Sequence, residues 1–171
     1  LRQHIGDALE RLRLAQRQNP VFLIGQHVLS SPTLKASELQ VYPTGYMLVD
    51  TGRQTTASYM SGTTPIPYDK PAIAACTAMA GELLGLRYIY LDGGSGALNP
   101  ISSEMIKAVR QSVEAPIIVG GGIDTAAKAK AALEAGADVI VVGNHIEKNP
   151  GFLAEVSHTI ASYNLALDIH R

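Results

Sequence analysis

Between Arg87 and Asn164 the chain repeats one pattern three times: a short apolar run, then glycine, then a helical stretch. The runs are RYIYLDGG, PIIVGGG and ADVIVVGN, and the stretches between and after them are PISSEMIKAVRQSVEA, DTAAKAKAALEAG and NPGFLAEVSHTIASYN. Apolar β-branched runs alternating with helical patterns predict parallel strands joined by helical crossovers, because a tight hairpin cannot connect parallel neighbours. Each run meets glycine at its carboxyl end, which is the end where α/β sheets hold ligands.

The upstream part continues the theme less regularly. Leu1–Gln18 places Ile5, Leu9, Leu12 and Leu14 at roughly helical spacing and predicts an amphipathic helix. Asn19-Pro20 predicts a helix start, with asparagine as the cap and proline in the first turn. QVYPTGYMLVD, Gln40–Asp50, predicts a strand followed by a turn at Asp50-Thr51-Gly52. Gly62–Pro71, with three prolines, predicts a loop, and DKPAIAACTAMAGELLGL predicts a helix closed by Gly85. At 171 residues, 1–171 is expected to be a single domain.

Composition narrows the function classes. A net charge of −1 gives no electrostatic footing for nucleic acid or an anionic membrane. The single cysteine, Cys76, excludes an internal disulfide framework and suits a reducing compartment, and its helix of small residues predicts a packing role. No stretch reaches the roughly 20 apolar residues of a membrane span, and the charged start is unlike a secretory signal. The expected location is cytoplasmic.

Three strand-ending loops carry the candidate chemistry: Asp92-Gly93-Gly94-Ser95-Gly96, Gly120-Gly121-Gly122-Ile123-Asp124 and Gly143-Asn144. Neither a dinucleotide fingerprint nor a P-loop is present. Glycine loops in successive βα units near the end of the chain suit a (β/α)8 barrel, in which the last loops and a helix N-terminus bind phosphate through backbone N–H groups. The plainer reading is a set of tight turns. Tyr90 and Asp92 are two apart on one strand and so share a face, where the carboxylate either accepts from a polyol or acts as general base, or instead hydrogen-bonds a loop backbone. Ser95 either donates to phosphate or caps the following helix. Tyr46 is either a core aromatic or a ligand-facing phenol. The five histidines show no metal-ligand spacing and are read as surface or structural.

YLDGGSGALNP, PIIVGGGI and GADVIVVGN together resemble the geranylgeranylglyceryl/heptaprenylglyceryl phosphate synthases, prenyltransferases on a TIM barrel. NPVFLIGQHV, TGYMLVD and SYMSGTTPIPYDKP extend the resemblance from about Asn19 to Asn144 and match the branch found in bacteria and some archaea. The resemblance implies that the 3-hydroxyl of sn-glycerol 1-phosphate attacks C1 of a long prenyl diphosphate, with Mg2+ as cofactor. It implies catalytic roles for Asp92 and Tyr90. It also implies a glycerol phosphate site made by Tyr90, Asp92, Gly93, Gly94, Ser95, Gly96, Gly121, Gly122, Gly143 and Asn144, with Tyr46 nearby. Asp92 stands where the family often has the longer glutamate. The implied assembly is a homo-oligomer, a dimer or hexamer, with peripheral membrane contact. Other phosphate-handling barrels, such as a sugar-phosphate isomerase or flavin enzyme, and a non-catalytic phosphate-binding half-barrel are the alternatives.

One family feature has no counterpart: the N-terminal strand with an Ile-Asp-Pro-Asp-Lys-like motif, whose aspartate binds Mg2+. No metal ligand is therefore expected from this chain. A complete barrel needs at least about 200 residues. The expectation is that a stretch is missing within Leu9–Gln18, since a true half-barrel would leave strand edges unpaired.

Overall fold

The computed structural model describes residues 26–169. The helix expected over Leu1–Gln18, the cap at Asn19-Pro20 and the junction within Leu9–Gln18 lie outside the described residues. In chain order the elements are α1 (Gln26–Ala36), β1 (Thr44–Leu48), α2 (Thr56–Ser61), α3 (Pro71–Leu83), β2 (Tyr88–Asp92), α4 (Ser103–Arg110), β3 (Ile117–Gly120), α5 (Ala126–Glu134), β4 (Val139–Val141), α6 (Asn144–Lys148) and α7 (Phe152–Ile169).

The four strands form one parallel sheet in the order β1-β2-β3-β4. Its register aligns Tyr46 with Tyr90, Leu48 with Asp92, Asp92 with Gly120, and Gly120 with Val141. All the strand-ending loops therefore gather at one end of the sheet. The strands alternate as a sheet with two unlike faces requires. On β2, Ile89 and Leu91 are fully buried beneath the helices, while Tyr90 and Asp92 are half-buried on the other face. Met105, Ile106 and Val109 from α4 and Ala129 and Ala132 from α5 close the core, and Phe152 and Val156 add α7 to it. Each large aliphatic side chain so covered contributes roughly 1.5–3 kcal/mol.

Local chemistry sets the element ends. Pro71 opens α3, whose buried Ala74, Ala78 and Gly81 let the helix lie close to the sheet. Gly85 follows its end in the left-handed region, φ +83°, as the sequence predicts. Ser102 caps α4 by accepting from the Met105 N–H at 3.2 Å, and Thr125 caps α5 by accepting from the Lys128 N–H at 3.3 Å. Two carboxylates tie crossovers to β3: Glu82 accepts from the N–H groups of Glu114 and Ala115, and Asp138 accepts from the Ile117 N–H and from Arg110.

Several expectations change. The helix expected from Pro100 to Ala115 is confined to Ser103–Arg110, and the strand expected to include Gly121 and Gly122 stops at Gly120. The last helix starts at Phe152 instead of Asn149 and continues to Ile169. Short helices α2 and α6 were not legible, because helices of 6 and 5 residues carry too little periodicity. Cys76, expected to pack, is exposed on α3. No described helix is long and apolar enough to cross a membrane.

Candidate phosphate-binding site

A cleft of about 430 Å³ opens at the carboxyl ends of β2, β3 and β4. Tyr90, Asp92, Gly94, Ser95, Gly96, Gly121, Gly122, Gly143 and Asn144 all line it. Nine of the residues expected from the sequence are thus brought together by three strands that lie side by side.

Two glycine loops interlock at its floor. Gly121 has φ +87°, and a Cβ there would stand 2.8 Å from the backbone of Gly93. Gly122, at φ +70°, would meet the carbonyl oxygen of Asn99 at 2.6 Å. The Gly93 N–H donates to the Gly120 carbonyl at 2.9 Å. No side chain fits between backbones that approach this closely, so these glycines do more than turn the chain. Gly93, expected among the ligand contacts, does not line the cleft. It is buried between Gly121 and Thr51 and acts as packing for the loop.

Tyr90 lies edge-on to Tyr46, with ring centroids 5.3 Å apart. Its hydroxyl reaches across β3 to Gly120, where a Cβ would come within 2.5 Å of it. Gly120 is thus required for the phenol to enter the cleft. Burial first, and the nearby Asp92 charge second, raise the Tyr90 pKa well above the ordinary phenol value, so the hydroxyl stays protonated and can donate. Asp92 is held at both oxygens: Oδ1 accepts from the Gly94 N–H at 2.8 Å, and Oδ2 accepts from the Tyr46 hydroxyl. Tyr46 does not line the cleft; it orients the carboxylate that does. The pair of readings left open for Tyr46 resolves to this third role.

Ser95 does not cap the next helix, because Ser102 does. Its hydroxyl donates to Asn144 Oδ1 at 2.9 Å and so joins the β2 loop to the β4 loop across the cleft. Asp124, the last residue of the second candidate loop, also lines the cleft, as do His145 and Lys148, which were not expected there. His145 packs edge-on against buried Phe152, with centroids 4.7 Å apart, which places its ring at the cleft wall. Its position immediately after the Gly-Asn pair was the available signal.

The PcrB family model matches residues 7–161. The chain belongs to the PcrB family. Within it, similarity reaches 56% identity over 159 residues to the geranylgeranylglyceryl phosphate synthase of Spirosoma linguale, covering 93% of this chain and 64% of that one. The chain is 54% identical over 155 residues to the synthase of the same name from Chitinophaga pinensis, covering 91% and 62%. It therefore spans a little under two thirds of the length of these PcrB relatives. Among solved structures, it is similar to (S)-3-O-geranylgeranylglyceryl phosphate synthase from Thermoplasma acidophilum in complex with its substrate sn-glycerol-1-phosphate. That match has a TM-score of 0.81 at 29% identity, and covers 87% of this chain and 61% of the other. These neighbours are TIM barrels, as the sequence implies. The described residues form an open four-stranded arc of that α/β fold, and the barrel is not closed within them.

Proposed function

We propose that this PcrB chain carries the glycerol phosphate half of a prenyltransferase that joins a long prenyl diphosphate to the 3-hydroxyl of sn-glycerol 1-phosphate, giving an ether phospholipid precursor. The observation that carries the reading is the cleft itself. Loop backbone exposed at Ser95 and Gly96 and half-buried at Gly121 and Gly122 lines the cleft with a protonated Tyr90 and an Asp92 whose carboxylate is fixed at both oxygens. The relative with a TM-score of 0.81 holds sn-glycerol-1-phosphate.

The chemistry follows from those groups. Backbone N–H donors in the glycine loops suit a phosphate dianion. The Tyr90 hydroxyl donates to a glycerol oxygen, and Asp92 orients the reacting hydroxyl. As the new C–O bond forms at C1 of the prenyl group, the bond from C1 to the diphosphate oxygen breaks. Diphosphate leaves with the electron pair and Asp92 takes the hydroxyl proton. Holding the hydroxyl in line with C1 is the larger part of the expected acceleration.

Magnesium, which the resemblance implies, belongs to the same proposal: no group of three or more His, Cys, Asp or Glu among the described residues could hold a metal by itself, and Mg2+ would be held largely by phosphate oxygens of the substrate with one or two carboxylates. The Asp92 oxygens already serve Gly94 and Tyr46. A homo-oligomeric state, peripheral membrane contact and a cytoplasmic location belong to the same proposal. A second reading is a phosphoglycerol-binding module without transfer.

Incubation of the 171-residue chain with radiolabelled sn-glycerol 1-phosphate, geranylgeranyl diphosphate and Mg2+ separates the two. A prenylated product from the 1-phosphate but not the 3-phosphate supports transfer. Calorimetric binding of the 1-phosphate with no product supports the module, and no binding at all defeats both.

A further inference from the structure

We infer that Thr51 and Thr55, on the loop between β1 and α2, are positioning residues that fix the cleft-facing turn Gly93–Gly96 from behind. The inference rests on the reading of that turn as part of the phosphoglycerol site. Neither threonine lines the cleft, and neither belongs to a glycine loop.

Thr51 is 1% exposed, although it follows the end of its strand by only a few residues. The Asp50 carboxylate accepts from the Gly52 N–H at 2.9 Å, a local turn that reverses the chain while Thr51 faces inward. There the Thr51 hydroxyl donates to the Gly93 carbonyl at 3.2 Å. The N–H of the same residue is held by Gly120, so Gly93 is clamped from β1 on one side and from β3 on the other. The Thr51 carbonyl in turn accepts from Asn99 Nδ2 at 3.3 Å, and the Asn99 backbone lies against Gly122. One residue outside the cleft is thereby connected to both glycine loops that build it.

Thr55 holds the next residue. It is 6% exposed and caps α2, accepting from the Ser58 N–H while Ser58 accepts from the Thr55 N–H. That reciprocal pair locks its side chain against Gly94, where a Cβ would come within 2.5–2.8 Å of three Thr55 atoms. Gly94 has φ +80° and directs the chain out to Ser95 and Gly96, both exposed at the cleft. A buried valine would fill the space of Thr51 equally well. The need for a hydroxyl comes from the Gly93 carbonyl, which would otherwise be left in a dry site without its donor.

Amide exchange of the free 171-residue chain tests the clamp without any ligand. Thr51→Val is expected to speed exchange about tenfold at Gly93 and Gly94, whose N–H groups donate to Gly120 and Asp92, as for a lost buried hydrogen bond, with Ile89 and Ile117 unchanged. Thr51→Ser, which keeps the hydroxyl, is expected to stay near wild type. Titration with sn-glycerol 1-phosphate is expected to show about tenfold weaker binding for Thr51→Val and less than about threefold for Thr51→Ser. Wild-type exchange and binding in Thr51→Val would overturn the inference. So would a uniform rise across β2 and β3, which marks a general structural role. If the local exchange effect appears but the wild-type chain does not bind sn-glycerol 1-phosphate, the clamp stands and the phosphoglycerol reading falls.

Discussion

The β2 and β3 loops and the β4 loop use glycine for different reasons. Gly93, Gly94, Gly121 and Gly122 sit where a Cβ would strike neighbouring atoms at 2.8 Å or less. At Gly143 nothing stands within 4 Å. The first four are demanded by backbone packed on backbone and by the threonines behind it. The third loop is held across the cleft by Ser95 and Asn144 at their side chains. One side of the site is therefore built like a core and the other like a surface, although GGG and GN read alike in sequence. On the proposed function, the tightly packed side would fix the phosphate and the open side would admit it.

The largest break in that contrast is expected from Gly121→Ala. Its φ of +87° and the 2.8 Å approach to Gly93 leave no room to relax. Strain and overpacking together should cost about 2–4 kcal/mol in urea denaturation. Asp92→Asn probes chemistry without breaking the packing, since an amide oxygen still accepts from Gly94. Turnover should fall about 10²-fold or more, with sn-glycerol 1-phosphate affinity and folding stability little changed.

A pH series addresses the buried phenol. The Tyr90 pKa is raised in the folded chain above the unfolded value of 10.0, by burial and then by Asp92. As pH rises, the unfolded chain loses its proton first. The stability tied to Tyr90 is intact below about pH 10 and declines above it. The melting temperature of the native chain should fall more steeply above that pH than that of Tyr90→Phe. The smallest effect is expected on the open side: Gly143→Ala should change stability by no more than about 1 kcal/mol, measured alongside Gly121→Ala. Equal losses at the two glycines would erase the distinction between the loops.

Much of this arrangement was legible in the residues. The repeated strand-glycine-helix pattern named β2, β3 and β4, and Tyr90 with Asp92 followed from a period of two along one strand. The roles of Gly93 and Tyr46 were not legible, because each is settled by an atom from a distant segment: Gly121 backbone for one, the Asp92 carboxylate for the other. Thr51 was legible only as the middle of the turn Asp50-Thr51-Gly52 and Thr55 not at all, because their partners Gly93 and Gly94 lie in a distant segment. Lys148 and His145 fell into a helix too short to register.

By itself the sequence determined that parallel strands end together in glycine, because apolar period and glycine placement are local and additive properties. It also carried the family. Only the tertiary structure decided which glycines must be glycine and which merely are, which carboxylate oxygen has a partner, and which loop stands behind the site. Those outcomes depend on sub-ångström differences in the spacing of segments 28 to 49 residues apart, as between Gly93 and Gly121 or Ser95 and Asn144. At that spacing, steric exclusion and hydrogen-bond geometry override any local preference.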